Sequence, residues 1–433
     1  MQNHKQGAQN QIFSFSCFDP IGNQGGVSKV IREHMQLFQD AGYRYALLFP
    51  VAKVKTKLWG NLINNKFQAL ISTGDICDQI AKADKTDEIH LHHLMRMRLD
   101  EVTKIVDQCK IPVKFFVHDF YCCCPSINFM DSTGKYCGDS AVSEEKCRHC
   151  ALYESASRHR EHMEKFFRML EDRLTVVAPS QYALSAWLKS FGEIKCHTKV
   201  MPLQRAEGAY AGNSGIRKTG EPLRIAYVGS CMSIKGYAQW KTAVAACKIE
   251  KKNYQFYVFG DAKEKIDGVI NISVNVGKVA TDMVDKLRKY EIDVAIINSL
   301  CGETYSYTFH ECLAANAYIV TNRFSGNVAT KVFDNRNGTV LESPDDLTDF
   351  LICEETLRSC IMYFKKISSP PDKMVPNTDI VKMVSGTVKT PEEVVCNTKR
   401  PEVISPQKIL QRLYAKFMTV GYRIARYIKE VSL

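Results

Sequence analysis

The chain has 433 residues, 45% of them hydrophobic and 24% charged, with a formal net charge of +11 and 17 cysteines. The length exceeds one ordinary core and predicts two domains plus an extension, with the composition of a soluble globular protein. No apolar run reaches the roughly 18 residues of a membrane span, and the polar start MQNHKQGAQNQ does not read as a signal peptide, so a cytoplasmic location with mostly reduced thiols is expected.

The first half alternates strand and helix. QIFSFSCF reads as a strand, GVSKVIREHMQLFQDAGY as an amphipathic helix and YRYALLFP as a second strand. DEIHLHHL, the helical LDEVTKIVDQC, the strand VKFFVHDF, a helix from Ala151 to about Asp172 and the strand LTVVAPS continue the pattern. Strands separated by helices of this length predict parallel βαβ units. Cysteines lying singly in apolar runs, such as Cys247, Cys312 and Cys353, are expected to be buried small hydrophobes.

QRAEGAYAGNSGIRKTGEP lacks periodicity and reads as a linker, residues 204–222. The alternation restarts with the strand LRIAYVGS, a helix from about Tyr237 to Ile249 and the strand YQFYVFGD. A helix around DMVDKLRKY, the strand VAIINSL, a further helix within GETYSYTFHECLAAN and the β-rich AYIVTNRF follow. The predicted architecture is α/β, with two Rossmann-like domains, residues 10–203 and 223–400, facing across a cleft. The first carries a Cys-rich insertion at 121–150. Doubly wound folds bind ligands at the carboxyl ends of their strands.

GETYSYTFHECLAAN sets Glu303 and Glu311 across the opening of its helix, with the backbone N–H groups of Tyr305, Ser306, Tyr307 and Thr308 between them. A carboxylate is a pure acceptor suited to paired hydroxyls, and a helix N-terminus is an anion site. With this stretch stand the Gly25–Gly26 pair of GNQGGVSKV, His118 in VHDF, VVAPSQYALSAWL, and Gly229 and Lys235 in IAYVGSCMSIKGY, followed by NRNGTVL. In order, each at a strand end, these motifs resemble the retaining glycosyltransferases of the GT-B fold, family 4 type, over roughly residues 12–350.

The resemblance implies that Glu311 accepts from the donor ribose, that Glu303 and His118 face the donor sugar, and that Lys235 neutralises the diphosphate leaving group. It implies that Gly25, Gly26 and Gly229 allow close backbone approach. The sequence departs from the family at Ser230, where arginine is usual, and at Ser306, where glycine is usual. Lys29 or Arg323 is a candidate replacement cation. No Asp-x-Asp motif is evident, and no catalytic metal is expected. The implied function is transfer of a sugar, hexosyl in type, from a UDP- or GDP-linked donor to a glycan or lipid-linked acceptor, in bacterial-type polysaccharide or glycolipid assembly. The alternatives are a non-catalytic GT-B scaffold or partner subunit and, less favoured by the two glutamates, a nucleotide-sugar epimerase.

Within the insertion, Cys124, Cys137, Cys147 and Cys150 end in a C-x2-C pair, a pattern suited to a structural zinc, with Cys122, Cys123 or His149 as alternate ligands. From Ser405 the chain reads as a basic amphipathic C-terminal helix, residues 405–433. Ile409, Leu413, Phe417, Val420, Ile424, Tyr427 and Val431 lie on one face and Lys408, Arg412, Lys416, Arg423 and Arg426 on the other. Such a helix suits either an anionic membrane surface, peripheral at its inner face, or packing against the domains. Nucleic-acid binding is not expected, because the basic residues are not interleaved with aromatics in a known module.

Overall fold

A computed structural model describes residues 10–21, 25–51, 58–139, 142–212, 217–218, 220–262, 264–274, 282–384, 418–419 and 421–423. In the first domain β1 (Gln11–Phe15) leads through α1 (Gly26–Asp40) to β2 (Arg44–Pro50). An antiparallel hairpin follows, β3 (Leu58–Ile63) and β4 (Lys66–Ser72), turned by Asn64 and Asn65 at φ of 47° and 67°. Next come α2 (Thr73–Ile80), β5 (Glu88–Leu91), α3 (Leu99–Val106), β6 (Val113–Phe116), α4 (Glu144–Cys147), α5 (Tyr153–Leu170), β7 (Leu174–Ala178), α6 (Gln181–Phe191) and β8 (His197–Val200). The sheet order is β4-β3-β2-β1-β5-β6-β7-β8, parallel from β2 to β8.

β9 (Gln204–Glu207) precedes the second domain, which opens with β10 (Leu223–Val228), α7 (Tyr237–Ile249), β11 (Tyr254–Phe259), β12 (Val269–Ile272), α8 (Asp282–Lys289) and β13 (Val294–Ile296). It continues with α9 (Tyr307–Ala314), β14 (Tyr318–Asn322), α10 (Asn327–Asn335), β15 (Gly338–Leu341), α11 (Leu347–Ile352) and α12 (Glu354–Ile367). Its sheet is wholly parallel, in the order β12-β11-β10-β13-β14-β15. The two predicted Rossmann-like domains are therefore present.

Each sheet is covered on both faces, as parallel sheets must be. On β10, Ile225 and Tyr227 pack towards Trp240 of α7, while Ala226 and Val228 pack towards Phe309 and Cys312 of α9. On β1, Phe13 and Ile12 divide in the same way between two clusters. Strand order reverses at β1 and at β10, so the chain leaves a crevice beyond the carboxyl end of each. The loops carrying Gly25–Gly26 and Gly229–Lys235 follow these two strands.

The segment read as a linker contributes β9, which pairs antiparallel with β16 (Lys373–Pro376). The following α13 (Asp379–Lys382) returns to the first domain, where Ile380 packs with Met35 and Phe38. Cys247 and Cys312 are buried, but Cys353 is exposed because it sits at the junction of α11 and α12 rather than on an inward face. Of the C-terminal segment, Thr419 accepts from the Leu70 amide at 2.9 Å, and the Tyr422 ring lies 5.0 Å from Phe67 and 6.2 Å from Phe49. Residues 405–417, 420 and 424–433 lie outside the described residues, and no described helix is long and apolar enough to cross a membrane.

Candidate functional site

The loop after β13 and the start of α9 carry the two glutamates. Ser306 is the N-cap of α9, with its hydroxyl accepting from the Phe309 amide at 3.2 Å. Its φ of −164° is extended backbone open to any residue, so no glycine is needed there. Serine, where the resemblance expects glycine, thus gains a cap. Tyr305 precedes the cap, and its ring stacks on His310 with centroids 4.3 Å apart. The helix amides opening towards the cleft begin at Tyr307 and Thr308 rather than at Tyr305.

Glu303 sits beside β13, where its Oε1 meets the Lys235 ammonium at 2.5 Å and the Ser299 hydroxyl at 2.5 Å. Lys235 ends a short 3-10 turn after β10. Gly236 follows at φ 77°, and a Cβ there would stand 2.1 Å from the Asn298 carbonyl oxygen, so only glycine lets the turn lie against β13. Burial opposes the charge on Lys235, but the Glu303 carboxylate outweighs it and raises the ammonium pKa. Glu303 and Lys235, singled out in the sequence for separate roles, are thus in direct contact, although they follow strands that are not consecutive in the chain.

Glu311 projects from α9 towards the first domain. Its side chain is 15% exposed, and burial raises its pKa against the pull of Lys29. Lys29 of α1 stands 3.7 Å from Glu311 Oε1 and 3.9 Å from the centre of the Tyr307 ring. The Tyr307 hydroxyl donates to Glu33 at 2.8 Å. Of the two candidate replacement cations, Lys29 faces the glutamate helix, while Arg323 pairs with Glu342 at the surface.

The carboxyl ends of β6 and β7 meet the same loop. Thr304 Oγ1 donates to the His118 carbonyl at 2.6 Å, and Ser180 Oγ donates to the Thr304 carbonyl at 2.7 Å. The His118 ring is partly buried, and its Nε2 lies 2.9 Å from His92 Nδ1. Burial and the neighbouring His93 push His118 down to about 3, so the ring is neutral at ordinary pH. Asp119 is committed elsewhere, with Oδ2 2.7 Å from His93 Nε2 and Oδ1 accepting from the Tyr121 amide. Gly25 caps α1, and a Cβ at Gly25 or Gly26 would meet nothing within 4 Å. Gly229 ends β10 at φ 128°.

The insertion also reaches this region. Tyr136 and Tyr182 share a hydroxyl contact of 2.9 Å, and a Cβ on Gly302 would stand 2.0 Å from the Tyr182 hydroxyl. Gly302 is thus one close-approach point of the two domains, and Gly326, whose Cβ would stand 2.6 Å from the Tyr182 ring, is another. Phe120 and Phe129 stack at 4.7 Å within the first core, an anchor that the sequence pattern did not reveal. Cys124, Cys137, Cys147 and Cys150 line one cavity of about 120 Å³ together with His149. Cys137 donates to the Phe129 carbonyl at 2.6 Å and Cys124 to Ser126 at 3.5 Å. Among the described residues, no three His, Cys, Asp or Glu side chains converge as a group that could hold a metal ion. Cys122 and Cys123 do not line this cavity and lie 3.7 Å apart, sulfur to sulfur, in the first core.

Sequence reasoning missed Glu33, Tyr45 and His92. Only the alternating histidines of DEIHLHHL offered a signal, because a strand places residues two apart on one face.

No protein-family model matches the chain, and no curated protein sequence does. Solved structures do match in fold. HepE from Anabaena, in complex with UDP-glucose, has a TM-score of 0.52 at 12% identity, covering 82% of this chain and 93% of HepE. Sucrose-phosphate synthase from Thermosynechococcus elongatus has a TM-score of 0.51 at 12% identity, over 83% and 94%. The pneumococcal O-GlcNAc transferase GtfA, in complex with UDP and GlcNAc, has a TM-score of 0.50 at 8% identity, over 83% and 95%. At these identities the likeness is one of fold: two Rossmann-like domains facing across a cleft, the GT-B architecture.

Proposed function

We propose that the chain is a glycosyltransferase of the retaining, family 4 type, moving a hexose from a nucleotide-sugar to a hydroxyl acceptor. The observation that carries this reading is the Glu303–Lys235 pair beyond β13 and β10, whose loop is bonded through Thr304 to His118 of the other domain, with Glu311 on the helix that opens from the same loop. The UDP and UDP-glucose bound by the neighbours favour a UDP-linked donor, with GDP-linked donors as the next choice.

In this reading Glu311 accepts from the ribose hydroxyls, and the opening amides of α9 receive the distal phosphate. Lys235 stabilises negative charge as the bond between the anomeric carbon and the diphosphate oxygen breaks. The acceptor oxygen then bonds to the anomeric carbon, and its proton leaves with the nucleoside diphosphate. Gly25, Gly26 and Gly229 leave room for backbone approach to the donor, and Glu303 and His118 face its sugar. No step requires a metal ion. The acceptor is a glycan or lipid-linked glycan of a polysaccharide or glycolipid pathway, met at the inner face of a membrane with help from the basic C-terminal segment. We also propose a structural zinc at Cys124, Cys137, Cys147 and Cys150, four residues that border one cavity and whose side chains would have to draw together on the ion.

A panel of UDP-, GDP- and ADP-sugars, scored by thermal shift and by nucleoside diphosphate release, tests the proposal. A UDP-sugar that stabilises the protein and is turned over supports it. Silence across the panel overturns it in favour of a non-catalytic partner subunit, the reading favoured by Ser230 where the resemblance expects arginine.

A further inference from the structure

Four residues on adjacent strands or just beyond them form a line through the first sheet towards the cleft. Ser14 lies on β1, Tyr45 on β2, His92 one residue past β5 and His118 two residues past β6. Ser14 and Tyr45 are fully buried and His92 is 1% exposed. The Tyr45 hydroxyl donates to Ser14 Oγ at 2.9 Å and lies 3.1 Å from His92 Nε2. His92 Nδ1 lies 2.9 Å from His118 Nε2. The His92 ring stacks flat against Phe116, with centroids 4.6 Å apart and planes at 7°.

The direction of each hydrogen bond follows from counting protons. A tyrosine hydroxyl has one, and here it goes to Ser14. The same oxygen therefore accepts from His92, which must carry its proton on Nε2. A neutral imidazole has a single N–H, so His92 Nδ1 is bare and His118 Nε2 must donate to it. Burial, with His34 and His118 as neighbours, holds His92 well below its ordinary pKa and keeps it neutral.

We propose that Tyr45 and His92 are positioning residues that lock His118 in the tautomer protonated on Nε2, leaving Nδ1 as an acceptor-only nitrogen for a donor-sugar hydroxyl. The functional half rests on the glycosyltransferase reading, whereas the tautomer itself does not. A site that accepts from a hydroxyl rejects analogues lacking it, because its buried polar atom is left unpaired. The site then selects sugars with a free hydroxyl at this point over the corresponding deoxy sugars.

The test begins with the ligand-free full chain labelled with nitrogen-15 at histidine, and His118 is assigned by the signal lost in His118→Asn. Two-bond nitrogen–proton correlations distinguish the two neutral tautomers. The expected result is Nε2–H on both His92 and His118. In Tyr45→Phe, which removes the acceptor for His92, the His118 signal should move towards a mixture of tautomers while circular dichroism stays unchanged. An Nδ1–H on His118 in the unaltered protein overturns the proposal, as does a folded Tyr45→Phe with the His118 tautomer unmoved. With a donor found, Tyr45→Phe should lower kcat/KM about tenfold, equivalent to about 1.4 kcal/mol of lost transition-state stabilisation. The correct tautomer in a protein that turns over no donor leaves the relay standing and overturns only its catalytic use.

Discussion

Lys29 and Glu311 face each other across the cleft at 3.7 Å, joining the first turn of α1 to the middle of α9. The contact means that the proposed ribose-binding carboxylate already has a cation beside it before any ligand arrives. It also places Lys29 where a diphosphate next to the α9 amides would find it, which addresses the arginine missing at Ser230.

Glu311→Gln is expected to weaken donor binding by roughly 1.5–3 kcal/mol, the usual worth of a hydrogen bond to a charged group. Calorimetry on the bound nucleotide checks this, and unchanged affinity removes Glu311 from the site. Burial raises the Glu311 pKa and Lys29 opposes that rise. Protonation removes acceptor capacity, so affinity should fall as pH drops through the raised folded pKa. Lys29→Met should move that midpoint higher. For stability the sign is reversed: the folded state holds the proton over the window between the ordinary carboxylate value and the raised one, so this group's contribution falls as pH rises through that window.

Lys235 is expected to act on charge that develops in the transition state. Lys235→Ala should then lower kcat by about 10²-fold, with a smaller change in KM, as losses of such stabilising donors do. The same variant leaves Glu303 with Ser299 as its remaining partner of the two described at Oε1. Glu303→Gln removes the negative charge instead, and it should restore part of the folding stability lost in Lys235→Ala when the two are combined, as a double-mutant cycle would show. Strict additivity in that cycle would mean that the 2.5 Å contact carries no coupling.

Much of the fold was legible because alternating strand and helix periods leave a direct trace in sequence. Glu303, Lys235 and Gly229 were legible because each sits near a strand end or helix start, and Glu311 because it stands eight positions after Glu303 on the helix that follows. The β3–β4 hairpin was missed although its signal was present: Asn64 and Asn65 both take positive φ, as tight hairpin turns require. β9 and β16 were not legible, since their pairing joins segments about 170 positions apart and neither is apolar in pattern. The same holds for the contact of His92 with His118, 26 positions apart, which exists only because β5 and β6 are neighbours in one parallel sheet.

The cysteine cavity gives a prediction that does not depend on catalysis. Burial pushes the Cys137 thiol up to about 11, so zinc must displace protons on binding, and the sites should load more readily as pH rises. Purified protein is expected to hold about one zinc, and Cys150→Ser should lower that content and the melting temperature together. Protein that is folded by circular dichroism, free of metal by elemental analysis and open to thiol titration at all four positions would rule the zinc out.

The C-terminal segment supplies the last prediction. Tyr422 lies against Phe67 and Phe49 in the first domain, Thr419 meets the Leu70 amide, and the Arg423 guanidinium donates to the Gln68 carbonyl at 2.5 Å. An aromatic ring in such a cluster is worth roughly 0.5–1.5 kcal/mol beyond its buried area, so Tyr422→Ala should lower thermal stability measurably. The contacts also change what a membrane could take hold of. The basic residues would supply attraction to anionic lipid, at about 1 kcal/mol for each one near the surface. Sedimentation with phosphatidylserine vesicles should therefore be lost at high salt, since screening acts on charge and spares apolar insertion. Deleting residues 407–433 should abolish the same binding and lower the melting temperature as well. Vesicle binding that survives high salt would mean that the apolar face inserts. No vesicle binding at low salt would remove the membrane from the proposed function and leave a freely diffusing acceptor in its place.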